Sequence, residues 1–231
     1  MRNNREEAVN LIKSCVDEAF SGTIDSGDGK SPVVKLGELC DVITKGTTPT
    51  SVGYQFVESG INFVKIESIT ANGEFLKHKF AKITSECHEG LKRSRLRDGD
   101  ILFSIAGALG RTAYVRESIL PANTNQALAI IRLKKSDSVH PPYILKSLSS
   151  GFALDQIEKN RVGTAQQNLS LTQMKAFEIP LPPIEVQKQI SSKIDIFLNN
   201  AISLQNSIER KATGYIELKQ SILQEAFNGR L

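Results

Sequence analysis

Four basic residues within positions 92–97 could bind an anionic polymer. They are Lys92, Arg93, Arg95 and Arg97. Ammonium and guanidinium groups at this density can neutralise phosphates, which is how proteins hold a nucleic-acid backbone whatever its sequence. We take Arg93 and Arg95 as the candidate phosphate contacts. The alternative is that the run is a solvated surface, as most exposed charge runs are.

Two short turns add further candidates for phosphate contact. The turn KGTTPT supplies Lys45, Thr47 and Thr48, whose ammonium and hydroxyl groups can donate to phosphate oxygens. The stretch GALGR supplies Arg111 directly after a glycine. The two glycines of that stretch are equally well explained by a tight chain reversal, for which glycine is suited.

A polar loop near residue 165 carries side chains that could recognise bases. Base edges are contacted by Arg, Lys, Asn or Gln, and Gln can bind adenine through two hydrogen bonds. The loop supplies Arg161, Thr164, Gln166, Gln167 and Asn168. Residues 164–168 are uncharged, which favours close approach to a duplex. The same residues could instead cap the helix that follows, so both interpretations stay open.

No arrangement of residues in the sequence indicates catalysis. The three histidines, His78, His88 and His140, are scattered, and neither a Walker loop nor a dinucleotide fingerprint occurs. The three cysteines are widely spaced and form no CxxC pair, which argues against a structural zinc site and a disulfide framework. We therefore predict a binding protein that needs no metal.

The composition is that of a soluble globular protein with an uneven charge distribution. Its 231 residues, 40% hydrophobic and 23% charged, suffice for one domain and an accessory element. No apolar run approaches the roughly 20 residues of a membrane span, and the charged start of the chain is no signal peptide, so we expect a cytoplasmic location. Residues 34–135 hold 15 Lys and Arg against 10 Asp and Glu. A polyanion would be attracted there, although such an excess is also ordinary surface variation.

The elements that must position these side chains follow an α+β pattern. Residues 1–24 predict a short helix that ends at a glycine, and residues 25–32 predict a flexible linker. Residues 33–183 predict one globular domain with a mixed, mostly antiparallel sheet. Its candidate strands are 63–66, 101–105, 112–115 and 127–133, and its candidate helices are 142–148 and 152–159.

The last segment, residues 184–231, predicts a coiled-coil helix. Apolar residues alternate there at spacings of four and three, and we expect this seam to form a dimer or subunit interface. Lys211 is the one departure from this pattern, and the apolar members are Ile190, Ile194, Phe197, Ala201, Leu204, Ile208, Tyr215, Leu218 and Ile222. A helix over 184–227 would be about 65 Å long, more than the adjoining domain can cover. The short N-terminal helix is a candidate for part of the cover, and a second copy of the chain could supply more. Thr213 and Gly214 predict a break or bend in it.

A motif of five residues recurs near both ends of the chain at a constant offset of 207 positions. Ser14, Glu18, Ala19, Phe20 and Gly22 reappear as Ser221, Glu225, Ala226, Phe227 and Gly229. Two similar helix ends therefore flank one globular body. This is the pattern of one unit of a tandem array cut at the same point in each repeat.

Two long motifs carry a resemblance to a known family. They are LRDGDILFSIAGALGRTAYV at 96–115 and GTAQQNLSLTQMKAFEIPLPPIEVQKQI at 163–190, supported by VKLGELCDVITKGTTPT and KQSILQEAFNGRL. Together they closely resemble the DNA-specificity (S) subunits of type I restriction-modification systems, over nearly the whole chain from about Val33. The resemblance implies a target recognition domain over 33–183 and a conserved helical spacer over 184–231. Residues 1–24 resemble the end of a preceding spacer.

The resemblance further implies what the chain binds. Members of the family typically carry two domain-and-spacer units in one polypeptide, and each domain reads half of a split DNA site. This chain resembles a half-length form, so we expect it to read one half-site and to form a homodimer through the spacer. The implied partners are double-stranded DNA, the methyltransferase subunit and, where the system has one, the restriction subunit. S-adenosylmethionine and ATP belong to those subunits, so no cofactor is expected here.

Two alternatives to a DNA-reading subunit stay open. In a protein-interaction scaffold, the coiled coil would be the working part and the α+β domain would bind a protein. A truncated, silent specificity cassette would give a product that never assembles. Enrichment of a motif from random duplexes distinguishes the DNA-reading subunit from a scaffold.

Overall fold

The computed structural model describes residues 31–159 and 168–228. This part of the chain contains ten β-strands and five α-helices. The predicted N-terminal helix and all but the last two residues of the predicted linker lie outside the described residues. So do four of the predicted base-contacting residues, Arg161, Thr164, Gln166 and Gln167.

The described strands form three sheets. Two of the strands, β1 (Val33–Lys35) and β10 (Glu178–Pro180), pair with each other. The central sheet has the order β2 (Cys40–Lys45), β9 (Leu128–Leu133), β6 (Ile101–Ser104) and β7 (Thr112–Tyr114), with every neighbouring pair antiparallel. The second sheet has the order β3 (Phe56–Val57), β5 (Ala81–Ile83), β4 (Ile61–Val64) and β8 (Ala122–Thr124), and only β4 and β8 run parallel. The predicted mixed, mostly antiparallel architecture is confirmed.

The two inner strands of the central sheet, β6 and β9, are buried on both faces over most of their length, which explains why they are mostly apolar. Successive side chains of a strand point to opposite faces. Ile101 and Phe103 of β6 therefore pack in one core, whereas Leu102 packs in another. The first core is closed by helices and the second by the second sheet. Ile130 and Ile131 of β9 divide in the same way.

Five α-helices complete the fold. They are α1 (Ser85–Gly90), α2 (Pro141–Ser149), α3 (Gly151–Lys159), α4 (Leu171–Lys175) and α5 (Ile184–Phe227). The predicted helices at 142–148, 152–159 and 184–227 are confirmed. The predicted break at Thr213 and Gly214 is wrong, because α5 is helical throughout its 44 residues. One glycine in a helix interior costs only about 1 kcal/mol relative to alanine. None of the described helices has the length and apolarity that a membrane span requires.

The start of α5 is fixed to the body by polar contacts. The buried Gln187 accepts a hydrogen bond from the His140 amide at 2.9 Å and donates to the carbonyls of Ser138 and Pro182. Lys146 of α2 forms an ion pair with Asp195 of α5 at 2.7 Å. The helix is therefore anchored by its first turns.

Candidate nucleic-acid interface

A groove of about 850 Å³ lies between β2, the segment after α1, and β9. We call it the basic groove. It is lined by Val42, Thr44, His88, Lys92, Arg93, Arg95, Leu96, Arg97, Leu120, Pro121 and Arg132. Five of these residues are Lys or Arg and none is acidic. The whole predicted basic cluster therefore lines one concave surface.

Arg93 joins the basic cluster to the KGTTPT turn. Its Nη2 donates to the hydroxyl of Thr47 at 3.2 Å, although the two residues are 46 positions apart. The side chain of Arg93 is exposed. Within the described residues it forms no ion pair, so its charge is available to a ligand.

A glycine holds the KGTTPT turn against the second sheet. A Cβ at Gly46 would lie 2.0 Å from the carbonyl oxygen of Thr124, so no side chain fits there. The next amide, that of Thr47, donates to this carbonyl at 3.1 Å. The hydroxyl of Thr48 donates to the side chain of Gln126, while Lys45 is exposed at the end of β2. The turn is thereby fixed beside the groove.

Arg95 is engaged in contacts within the protein. Its Nε donates to the carbonyl of His88 at 2.8 Å, and its Nη2 donates to the carbonyl and carboxylate of Glu89 at 2.9 and 2.5 Å. The hydrogen bond from Arg95 also lowers the pKa of Glu89 below its ordinary value. These contacts fold the chain after α1 into the wall of the groove. Contact of Arg95 with phosphate stays a prediction.

Arg132 forms the floor of the groove, and sequence analysis missed it. Its Nε and Nη2 donate to the two carboxylate oxygens of Asp100, each at 2.7 Å. Asp100 is fully buried and also accepts the amide of Arg97 at 2.8 Å. A two-pronged pair of this kind fixes both side chains in one geometry. The DGD turn and the arginine in ALAIIRL were the only sequence signals for it.

Arg111 does not line the basic groove. It is half-buried, and its Nη1 donates to the carbonyls of Ile69 and Ile66 at 2.7 and 3.3 Å. The guanidinium therefore joins the GALGR turn to a loop of the second sheet. Its predicted contact with phosphate is not tested by this arrangement.

Asn168 is the one described member of the predicted base-contacting loop. It is exposed and forms an isolated β-bridge with Ala106. Helix α4 is capped by Ser170, whose hydroxyl accepts the amide of Gln173 at 3.1 Å. Asn168 therefore does not cap that helix, which leaves its side chain for other partners.

The seam on α5 divides into a buried part and an exposed part. Ile190 and Ile194 are 7% and 3% exposed and belong to the first core. This corrects their prediction as interface residues, because the body of the same chain covers them. Phe197 and Ala201 are half-buried.

Beyond these residues the apolar seam is uncovered. Each of its five remaining members is at least 50% exposed. They are Leu204, Ile208, Tyr215, Leu218 and Ile222, and we call them the seam surface. A row of large apolar side chains at a/d positions indicates a partner helix.

Comparison with known proteins identifies the relatives of this architecture. Residues 29–213 match the family model for the type I restriction modification DNA specificity domain. The chain is 32% identical over 176 residues to the EcoBI specificity subunit of Escherichia coli. The aligned region covers 76% of this chain and 36% of that subunit. It is 27% identical to the putative MjaX specificity subunit of Methanocaldococcus jannaschii, with 77% and 41% covered. The chain thus spans less than half the length of these curated relatives.

Two solved structures share the fold. One comes from a study of complex assembly and conformational transition of the type I R-M system, with a TM-score of 0.72 and 23% identity. The other is the HsdS subunit of Thermoanaerobacter tengcongensis, with a TM-score of 0.63 and 24% identity. Both comparisons cover 100% of this chain, and they cover 55% and 54% of the respective relatives.

Proposed function

The chain belongs to the type I restriction-modification DNA specificity family, and we propose that each copy reads one half of a bipartite DNA target. The observation that carries this proposal is the basic groove, where five cations converge without an acidic neighbour in its lining. The negative phosphates of a duplex are attracted to such a surface, and their register on it is fixed by the individual contacts.

The ion pairs of the groove support two different roles for its cations, one structural and one in phosphate contact. Arg95 and Arg132 are paired with Glu89 and Asp100. Lys92, Arg93 and Arg97 are exposed and have no acidic partner within the described residues. Three unpaired cations on one wall suit phosphate contact, whereas the two paired arginines maintain the shape of the groove.

We assign no catalysis to this chain and propose that it directs other subunits. A methyltransferase subunit and, where present, a restriction subunit would act on the DNA that it selects. The seam surface would pair two copies into a homodimer, so that each copy supplies one basic groove. Arg161, Thr164, Gln166, Gln167 and Asn168 stay candidates for base contact beside that groove.

Selection from randomised duplexes tests the proposed function directly. The purified full chain, alone and with its methyltransferase subunit, should enrich one sequence motif, because fixed side chains discriminate base edges. The motif is expected to consist of two inverted half-sites with an unread gap. A protein scaffold would enrich nothing. A silent cassette would neither assemble with the methyltransferase nor retain DNA.

Replacing Arg93 with alanine should weaken the salt dependence of DNA binding. If Arg93 contacts one phosphate, the slope of log K against log salt should fall in magnitude by about 0.9. The matched control is Arg116→Ala, since Arg116 stacks on Tyr114 outside the basic groove. Binding is measured by fluorescence anisotropy at several salt concentrations. An unchanged slope in Arg93→Ala would dismiss the contact.

Arg95→Ala is expected to behave differently from Arg93→Ala. Its guanidinium has three hydrogen bonds within the protein, so its loss should lower the melting temperature more than the salt slope. Thermal unfolding of the two variants measures this difference. Equal melting temperatures together with a flattened slope would instead make Arg95 a phosphate contact.

A further inference from the structure

His88 lies in the wall of the basic groove with one ring nitrogen tied to a buried partner. Its Nδ1 is 2.5 Å from the Oδ1 of Asn123, which lies 35 positions away on β8. Asn123 is fully buried, whereas His88 is partly exposed and lines the groove. The orientation of the imidazole is therefore fixed by a hydrogen bond to a buried residue.

The hydrogen bonds of Asn123 determine which nitrogen of His88 carries the proton. The Nδ2 of Asn123 donates to the carbonyl of Leu91 and to the hydroxyl of Ser94, each at 3.1 Å. A carbonyl can only accept, so the amide group has one orientation and its Oδ1 faces His88 as an acceptor. The Nδ1 of His88 must then be the donor. In the neutral ring, this leaves a lone pair on Nε2.

The Nε2 of His88 is accessible to solvent. Within the described residues, the only buried side-chain nitrogen or oxygen without a hydrogen-bond partner is the hydroxyl of Ser191. The Nε2 of His88 has no protein partner in this part of the chain, so it is not buried. His88 lines the basic groove, and Nε2 is its ring nitrogen without a partner among the described residues.

We propose that His88 reads a base in the groove by accepting a hydrogen bond at Nε2 from an exocyclic amino group of adenine or cytosine. In the major groove only these two bases present an amino donor, whereas guanine presents acceptors and thymine an acceptor and a methyl group. The phosphates of the DNA backbone offer no hydrogen-bond donor to the Nε2 lone pair, so contact with a base is favoured over contact with the backbone. Asn123 acts as the positioning residue that fixes the tautomer. This inference rests on the proposed function and names one of its specificity contacts.

Base analogues that lack only the amino group test the contact. Once selection has given the target, each adenine is replaced in turn by purine and each cytosine by 2-pyrimidinone. At one position, the wild-type chain should bind the analogue about 3- to 10-fold more weakly, the range of one hydrogen bond. In His88→Phe, which keeps an aromatic ring but no acceptor, this ratio should be smaller than the wild-type ratio by about the same 3- to 10-fold. The weaker pairing of the analogue is common to both proteins and cancels.

The exposed His78 provides the matched control, because it lies on a turn outside the basic groove. His78→Phe should keep the full wild-type ratio. Each ratio compares two duplexes on one protein preparation, so a reduced fraction of folded protein does not alter it.

Three results would separate the possible failures. If selection enriches no motif, the proposed function itself fails. If a motif is enriched but every analogue has the same effect on the wild type and on His88→Phe, the base contact is overturned. If His88→Phe changes only the slope against salt, the residue contacts phosphate and the inference is again overturned.

Discussion

Replacing Arg132 with methionine is expected to lower the free energy of unfolding by about 3–5 kcal/mol, because it leaves a buried carboxylate without its counter-ion. Asp100 is 0% exposed, and both of its oxygens accept from Arg132. Within the described residues, the remaining hydrogen bond to the Asp100 carboxylate comes from the amide of Arg97, which is a single neutral donor. Urea unfolding of the purified variant, followed by circular dichroism, measures the loss.

The control for Arg132→Met is a salt bridge that solvent already screens. Lys188 and Glu185 pair at 2.9 Å on α5, and their side chains are 51% and 72% exposed. Lys188→Met should cost no more than about 1 kcal/mol. The double variant Asp100→Asn/Arg132→Met should recover part of the loss, since no charge is then left buried. Equal losses in Arg132→Met and Lys188→Met would contradict the assignment of a buried ion pair.

The long and periodic elements of this fold could be predicted from the sequence, whereas its shortest strands could not. Helix α5 was predicted over 184–227 because heptad spacing persists over many turns, and the structure gives Ile184–Phe227. Strands such as β3, with two residues, and β8, with three, are too short to display any alternation. They are defined by pairing across the second sheet, which is a tertiary property.

The candidate site was predictable only where its residues are neighbours in sequence. The basic cluster at 92–97 was visible as a run of charge, and it does line the groove. The contacts that shape the groove join residues far apart, with 32 positions between Arg132 and Asp100 and 35 between His88 and Asn123. Spacing along the chain carries no information on such pairs. The first pair depends on the strand order that places β6 beside β9, and the second depends on the packing of α1 against β8.

The heptad pattern likewise could not tell the chain's own core from a partner's surface. Ile190 and Leu204 occupy equivalent positions in the repeat, yet one is 7% exposed and the other 64%. The difference arises because the body covers only the first turns of α5. The uncovered remainder is the part of the helix that bears on assembly.

Glutamate at both Leu204 and Ile208 is expected to weaken the proposed homodimer about 10⁴-fold. These side chains are 64% and 53% exposed in the single chain, and burying a Leu or Ile contributes at least about 1.5 kcal/mol. In a two-fold interface the same patch occurs on both copies, so two substitutions remove four apolar contacts. The sum is about 6 kcal/mol, which corresponds to roughly four decades in Kd.

The matched control places the same charges on the opposite face of α5. Asn199 and Asn206 are exposed and lie away from the a/d seam, so Asn199→Glu/Asn206→Glu should leave the dimer intact. Sedimentation equilibrium of the wild type and both variants, alone and with the methyltransferase subunit, measures the outcome. A two-fold axis through the seam surface would set the two basic grooves in opposite orientations, which is why inverted half-sites are expected. One wild-type copy per assembled complex would refute the homodimer and, with it, the symmetric target.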